Sequence, residues 1–359
     1  MKHFAGAGKD ARMLKRCAAV LKPLPRLPLA GLLLAALALA GCAPGTADDG
    51  GTRSAADPPS AADEASAADE ASAPAFPSAG DRLAVLLGDT GGPADVVLMG
   101  DSFASGEGAG SYQPVDGVAG SLCHRSAAGL MSEAAGTARI HNVACSRARI
   151  AALRSAQQMD GHGSRGLPAQ LDQLTGLRPD LVLLSIGGND AGFAGLLQAC
   201  LVENESCAGN ASLRQATKQT LRDLRTPLVQ LYTELGAAGS PVLVLPYPRL
   251  FDTDQEHCGR LSPEELSFGV EITDALNSII EQSVAAAGQP NVRYVDALED
   301  SFAARGACSP DPLVVTARIG PLLNAAASVS AAQEVLHPTG EGYRVLTADL
   351  LQWMEEHPL

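Results

Sequence analysis

Asp95-Val96-Val97-Leu98-Met99 runs without a break into Gly100-Asp101-Ser102-Phe103-Ala104-Ser105-Gly106-Glu107-Gly108. The first five residues form a short, β-branched, mostly apolar run, the pattern of a strand covered by helices on both faces. The glycine after it allows a sharp turn. Ser102 then stands where a helix begins, with backbone N–H groups pointing outward beside its hydroxyl. Such donors can stabilise the oxyanion that forms when a serine Oγ attacks a carbonyl. Gly-Asp-Ser alone equally describes a capping serine. A phosphate-binding loop is excluded, because no Lys-Ser/Thr pair follows the glycines.

Four further runs of the same kind follow, at 138–144, 180–186, 241–245 and 291–295. Helical periodicity fills the intervals, chiefly Ser212 to Leu235 and Pro263 to Ala287. Ser262-Pro263-Glu264-Glu265 supplies a capping serine, a proline for the first helical position and acids in the first turn. Strands alternating with helices predict an α/β domain whose parallel sheet is covered on both faces. In such sheets functional groups gather at the carboxyl ends of the strands. The third run ends in Gly187-Gly188-Asn189-Asp190, where a side-chain amide can donate to an oxyanion. Near the C-terminus, Glu334-Val335-Leu336-His337-Pro338 holds a histidine extended before a proline, with an acid three residues earlier. A last helix is expected after Pro338. A base and its orienting group are what a serine nucleophile requires.

The chain's ends and charge bound its setting. Lys2, Lys9, Arg12, Lys15, Arg16, Lys22 and Arg26 precede a short apolar run from Leu29 to Ala40, which ends at Gly41-Cys42. That run is too short to span a bilayer and has the form of a secretory leader, predicted over 1–41. Residues 42–80 are mostly Ala, Ser, Pro, Asp and Glu, and Ser60-Ala61-Ala62-Asp63-Glu64-Ala65 repeats from Ser66. Too little apolar surface is available there to offset ordering entropy, so a flexible acidic tether is predicted. Residues 81–359 are assigned to one folded domain. With 26 basic and 40 acidic residues the net charge is −14, which argues against a nucleic-acid partner. Of eight cysteines, Cys17 falls in the leader. Cys123, Cys145, Cys200, Cys207, Cys258 and Cys308 form an even set that reads as a disulfide framework, with the pairing open. Their spacing is not that of a zinc site, and no metal is expected.

Taken together, Gly100-Asp101-Ser102, Gly188-Asn189-Asp190 and His337-Pro338 resemble the SGNH/GDSL hydrolase superfamily. Cys123-His124-Arg125-Ser126, Ala144-Cys145-Ser146 and Tyr247-Pro248 extend the likeness to its branch of secreted actinomycete lipases and esterases. The resemblance implies a three-layer α/β/α sandwich on a flavodoxin-like, five-stranded parallel sheet. It implies cofactor-free and metal-free hydrolysis of carboxylic esters through an acyl-serine; a monomer is expected. Ser102 would be the nucleophile and His337 the base, with Glu334 as the third member. The Ser102 N–H, the Arg147 N–H and the Asn189 side chain would form the oxyanion hole. The pairs Cys123–Cys145, Cys200–Cys207 and Cys258–Cys308 are implied as well. Leu39-Ala40-Gly41-Cys42 resembles the lipobox of bacterial lipoproteins, which implies acylation of Cys42 and an extracytoplasmic, membrane-anchored protein.

Two positions depart from the superfamily's pattern. Arg147 stands where glycine follows Cys-Ser, and its side chain would narrow the site or offer a cation to an anionic substrate. Glu334 stands where aspartate is usual, and in part of the branch a backbone carbonyl orients the histidine instead. Acyl transfer to a sugar or similar acceptor, or a non-catalytic surface lipoprotein with a relic site, are the alternative readings.

Overall fold

The structure, a computed structural model, describes residues 77–359 apart from 89, 116–120, 158–165, 194–195, 197–206, 254–257, 259–260 and 317–332. The chain divides into the units Met1–Glu70 and Ala71–Leu359, and the described residues all belong to the second. The expected leader, Cys42 and most of the expected tether therefore lie outside the described residues.

The run that opens the domain is β1, Ala94–Gly100, at an interior position of the sheet. It pairs with β2, Ala138–Asn142, on one side and β3, Leu181–Ser185, on the other. Next come β4, Val242–Val244, and β5, Val292–Tyr294, giving the order β2-β1-β3-β4-β5 with every pairing parallel. Each of the five predicted runs coincides with an observed strand, and β1 extends one residue beyond its run at either end. This order reverses between β2 and β3, and the crevice at that switch, beyond the end of β1, is where such sheets bind ligands.

Alternation along the strands makes the three layers. Val96, Leu98, Leu181, Leu183 and Leu243 pack on one side with Leu83, Tyr343, Leu350 and Leu351. Those partners lie on α1, Ala79–Leu87, and on the C-terminal helix after Pro338. Val97, Met99, Val182, Leu184, Val242 and Val244 pack on the other side with Leu228, Leu231, Leu276 and Ile280. These belong to α3, Ala211–Ala237, and α4, Pro263–Ala287, which follow the one-turn helix α2, Ser102–Ser105. Each fully buried aliphatic side chain contributes about 1.5–3 kcal/mol relative to exposure, so the sheet is fixed from both faces.

Local signals set the helix ends. Ser262 and Glu265 form the capping box of α4, with Pro263 at its start. The last helix, α5, is Gly340–Glu356, capped by the Thr339 hydroxyl, which accepts from the Gly342 N–H. Helix α1 begins two residues before the expected domain start. Its capping box, Ser78 with Asp81, is built from residue types shared with the tether. Gly80 is required there, because a Cβ would come within 1.9 Å of the Thr137 hydroxyl. The disulfides Cys123–Cys145 and Cys258–Cys308 are formed. Cys207 is also disulfide-bonded, while Cys200 lies outside the described residues. Among the described residues, no helix is long and apolar enough to cross a membrane.

Candidate active site

The end of β1 presses against the end of β3. A Cβ on Gly100, at φ +125°, would lie 1.9 Å from the Ser185 carbonyl oxygen, so only glycine fits. Asp101 follows as the cap of α2, its carboxyl accepting from the Phe103 N–H at 3.2 Å. Ser102 thus opens a helical turn at the switch point, 9% exposed. Its Oγ lies 2.8 Å from His337 Nε2.

His337 is carried by the loop before α5. The other ring nitrogen, Nδ1, lies 3.2 Å from the Val335 carbonyl oxygen. With Nδ1 protonated and donating to Val335, Nε2 is left to accept from the serine hydroxyl, the tautomer a general base needs. Leu336 makes that loop possible by adopting φ +62°. Such a conformation costs a branched residue on the order of 1–2 kcal/mol. Burial of the Leu336 side chain in the core holds it there. The imidazole is half-buried and packs against Phe103, ring centroids 5.2 Å apart. Burial lowers its pKa from the usual 6.5, opposed by the negative charge of Glu107 and by nearby carbonyls.

Glu334 differs from expectation. Its carboxylate accepts from the Tyr112 hydroxyl at 2.9 Å, while its backbone carbonyl accepts from the His337 N–H. The expected carboxylate–imidazole pair is therefore corrected: the turn at Leu336 presents a main-chain oxygen to Nδ1, and the Glu334 side chain points to a different loop.

Three N–H groups are the expected oxyanion donors. As the first residue of a helix, Ser102 has no intrahelical partner for its N–H. Arg147 adopts φ +66°, the left-handed region that explains why glycine is the family's residue at this place. Among the described residues its N–H has no acceptor, and its exposed side chain no ion pair. The turn around it is fastened on four sides. Ser146 Oγ donates to Glu107, and the Ser146 carbonyl accepts from Gln157 at 3.0 Å. The Ala148 carbonyl accepts from Asn189 Nδ2 at 3.0 Å, and Asp190 accepts from the Ile150 N–H at 3.0 Å. One Asn189 N–H is engaged in this way, leaving the second available.

Tyr247 and Asp101, given no role of their own in the sequence reading, tie the strand ends together. The buried Tyr247 hydroxyl donates to Asp101 and accepts from the Gly188 N–H at 2.8 Å. It links the turn bearing the serine to the turn bearing Asn189. Burial pushes the Asp101 carboxyl up to about 7, against the hydrogen bonds from Tyr247 and Phe103. Removing the hydroxyl in Tyr247→Phe leaves two buried groups short of a partner. Destabilisation of about 1–3 kcal/mol is expected in urea unfolding; an unchanged midpoint and slope would show the hydroxyl to be dispensable.

A serine and a histidine in contact at the switch point of a 2-1-3-4-5 sheet define a serine hydrolase of the SGNH type. Residues 98–345 match the GDSL-like lipase/acylhydrolase family, and the chain belongs to that family of carboxylic ester hydrolases. It is 33% identical over 199 residues to Lipase 1 of Streptomyces coelicolor, covering 54% of this chain and 66% of that one. To a lipase of Streptomyces rimosus it is 29% identical over 223 residues, covering 61% and 75%. The crystal structure of the extracellular lipase from Streptomyces rimosus matches with a TM-score of 0.55 at 26% identity, over 73% of this chain and 99% of that one. A phospholipase A1 from Streptomyces albidoflavus NA297 matches with a TM-score of 0.56 at 25% identity, over 74% and 99%.

Proposed function

We propose that the protein hydrolyses carboxylic esters through an acyl-Ser102 intermediate, with His337 as the sole side-chain base. His337 Nε2 takes the hydroxyl proton as Oγ attacks the ester carbonyl, then returns it to the leaving alcohol. Water, activated by the same nitrogen, releases the acid and restores Ser102. The N–H groups of Ser102 and Arg147 and the free amide hydrogen of Asn189 hold the oxyanion in both halves. The Val335 carbonyl holds the imidazole in its reactive tautomer. The observation that carries this reading is the 2.8 Å approach of Ser102 Oγ to His337 Nε2.

Labelling with a fluorophosphonate probe, competed by p-nitrophenyl butyrate, tests it directly; an enzyme that turns over the ester without labelling refutes the acyl-serine route. Asn189→Ala should lower kcat by about 100-fold or more, the usual cost of one oxyanion donor. A loss below threefold would remove Asn189 from the oxyanion hole. Because burial lowers the histidine pKa, the acid limb of kcat/KM should fall below pH 6.5. The base is neutral above its pKa, so activity rises with pH through that limb; a midpoint above 7 would contradict the assignment.

The lipobox-like Leu39-Ala40-Gly41-Cys42, followed by an acidic stretch with no basic patch, supports an extracytoplasmic lipoprotein held by acyl chains on Cys42. More than one acyl chain is needed for a stable anchor. Palmitate labelling should follow Cys42, and Cys42→Ser should move the protein from membranes to the medium. An unlabelled wild-type protein found in the medium overturns the anchor.

A further inference from the structure

We propose that Glu107 is a positioning residue for this reaction, its buried carboxylate fastening the histidine loop to the oxyanion loop and its negative charge favouring the imidazolium form of His337. The inference rests on the acyl-serine reading above. It starts from an anomaly, since a glutamate five residues beyond the nucleophile is completely buried, 0% exposed. An unpaired charge at such depth is costly, so it must be held by partners.

Its partners come from the loops that matter. One carboxylate oxygen lies 2.6 Å from Nδ1 of the buried His124. The other accepts from Ser146 Oγ and from Gln333 Nε2, the latter at 2.7 Å. Ser146 immediately precedes the oxyanion donor Arg147, and Gln333 lies four residues before His337. Gln333 also donates to the Leu122 carbonyl at 2.9 Å, tying in the segment closed by the Cys123–Cys145 disulfide. A single carboxylate oxygen thus receives one donor from the oxyanion loop and one from the histidine loop. The Tyr343 hydroxyl donates to the backbone carbonyl of Glu107 at 3.1 Å, fixing its main chain as well.

The charge has a second effect. Gly108 abuts the base so closely that a Cβ there would lie 3.1 Å from His337 Cβ. The negative charge of Glu107 raises the His337 pKa against burial, while Phe103, Ser102 and the Val335 carbonyl, which touch the ring, carry no charge. In a triad the carboxylate that stabilises the imidazolium also orients the ring. Here the two tasks are separated: Val335 orients and Glu107 supplies charge. Glu107, His124 and Glu334 lie with ligand-type atoms within 4.8 Å of one another. Protein hydrogen bonds from His124, Ser146, Gln333 and Tyr112 account for the carboxylate contacts described, so the cluster reads as a proton-bonded network.

Glu107→Gln keeps the size and removes the charge. In the folded variant the acid limb of kcat/KM should move down by about one pH unit, the low end of the shift for losing a neighbouring opposite charge. kcat should fall about tenfold with KM within twofold, and Glu107→Asp should restore the limb. A purely structural role lowers activity or thermal stability without moving the limb, so an unmoved limb in folded Glu107→Gln overturns the proposal. If Glu107→Gln does not fold, Gln333→Leu decides. It cuts the tie to the histidine loop and leaves the charge, so kcat should fall about tenfold with the limb in place; wild-type kcat overturns the proposal. Failure of the acyl-serine reading is told apart by the wild-type enzyme's labelling with fluorophosphonate, measured on the same preparations.

Discussion

Ser102→Ala is expected to lower kcat by about 10⁴-fold or more while leaving the fold intact. Knocking out the nucleophile of a comparable serine hydrolase site costs on the order of 10⁶-fold, because the residual rate comes only from binding and the oxyanion hole. The magnitude is large because no second group can take over. Ser105 Oγ is buried and donates to the Ser102 carbonyl, and Ser146 Oγ is bound to Glu107. The serine is also cheap to remove structurally. Its side chain makes one described hydrogen bond, to His337, and a single such bond is worth about 1 kcal/mol net. The variant should therefore unfold within about 1 kcal/mol of wild type, which separates a chemical loss from a structural one. Hydrolysis of p-nitrophenyl butyrate by purified protein, with active sites counted by fluorophosphonate titration, gives the comparison. More than a few per cent of wild-type activity in Ser102→Ala would end the assignment.

The fold was legible because its signals are local and repeated. Val96-Val97-Leu98-Met99 must bury both faces, and the pattern recurs at 180–186 and 241–245, so a covered parallel sheet follows from the sequence. Ser262-Pro263 and Pro338-Thr339 announce helices through their own backbone chemistry, and both begin where expected. Helix α1 was hidden because Ser78-Ala79-Gly80-Asp81 is made of the same residue types as the tether. Only packing of Leu83 into the core and of Gly80 against Thr137 sets it apart, and those contacts come from elsewhere in the chain.

The same distinction governs the site. Ser102, Asn189 and His337 each sit at a motif whose backbone geometry can be read from its glycines or proline, and the structure brings the turns that carry them together. Glu107 carried no such signal: within Gly106-Glu107-Gly108 it reads as a solvated loop acid. Its burial depends on donors contributed by Ser146 and Gln333, which are remote in sequence. Tyr247 belongs to Tyr247-Pro248, noticed only as part of a resemblance; its hydrogen bonds to Asp101 and Gly188 exist only once three strand ends are aligned. Arg147 was read as a departure that the backbone could tolerate, and its φ of +66° shows the cost that the glycine pattern implies. Spacing could not decide Glu334. An acid three residues before a histidine can reach the ring along one backbone path and not along another, and the left-handed turn at Leu336 selects the path.

His337→Ala and Glu334→Gln should therefore differ by orders of magnitude. Loss of the imidazole removes the base that deprotonates Ser102 and later activates water, and kcat is expected to fall by about 10⁴-fold or more. Glu334→Gln changes nothing that touches His337. Its backbone carbonyl still accepts from the His337 N–H, and the Val335 carbonyl still faces Nδ1. The glutamine oxygen can accept from Tyr112 as the carboxylate does, so the loop keeps that tie as well. kcat should stay within about threefold of wild type. Had the carboxylate held the ring, the amide could have offered it a donor and imposed the wrong tautomer, an exchange that costs about 10⁴-fold in a triad enzyme. The two outcomes are far enough apart that one substrate at one pH suffices, with kcat for wild type, His337→Ala and Glu334→Gln measured side by side. A Glu334→Gln loss beyond about 100-fold would return the carboxylate to the site as its third member, whereas near-wild-type turnover leaves Ser102 and His337 as a dyad oriented by the main chain.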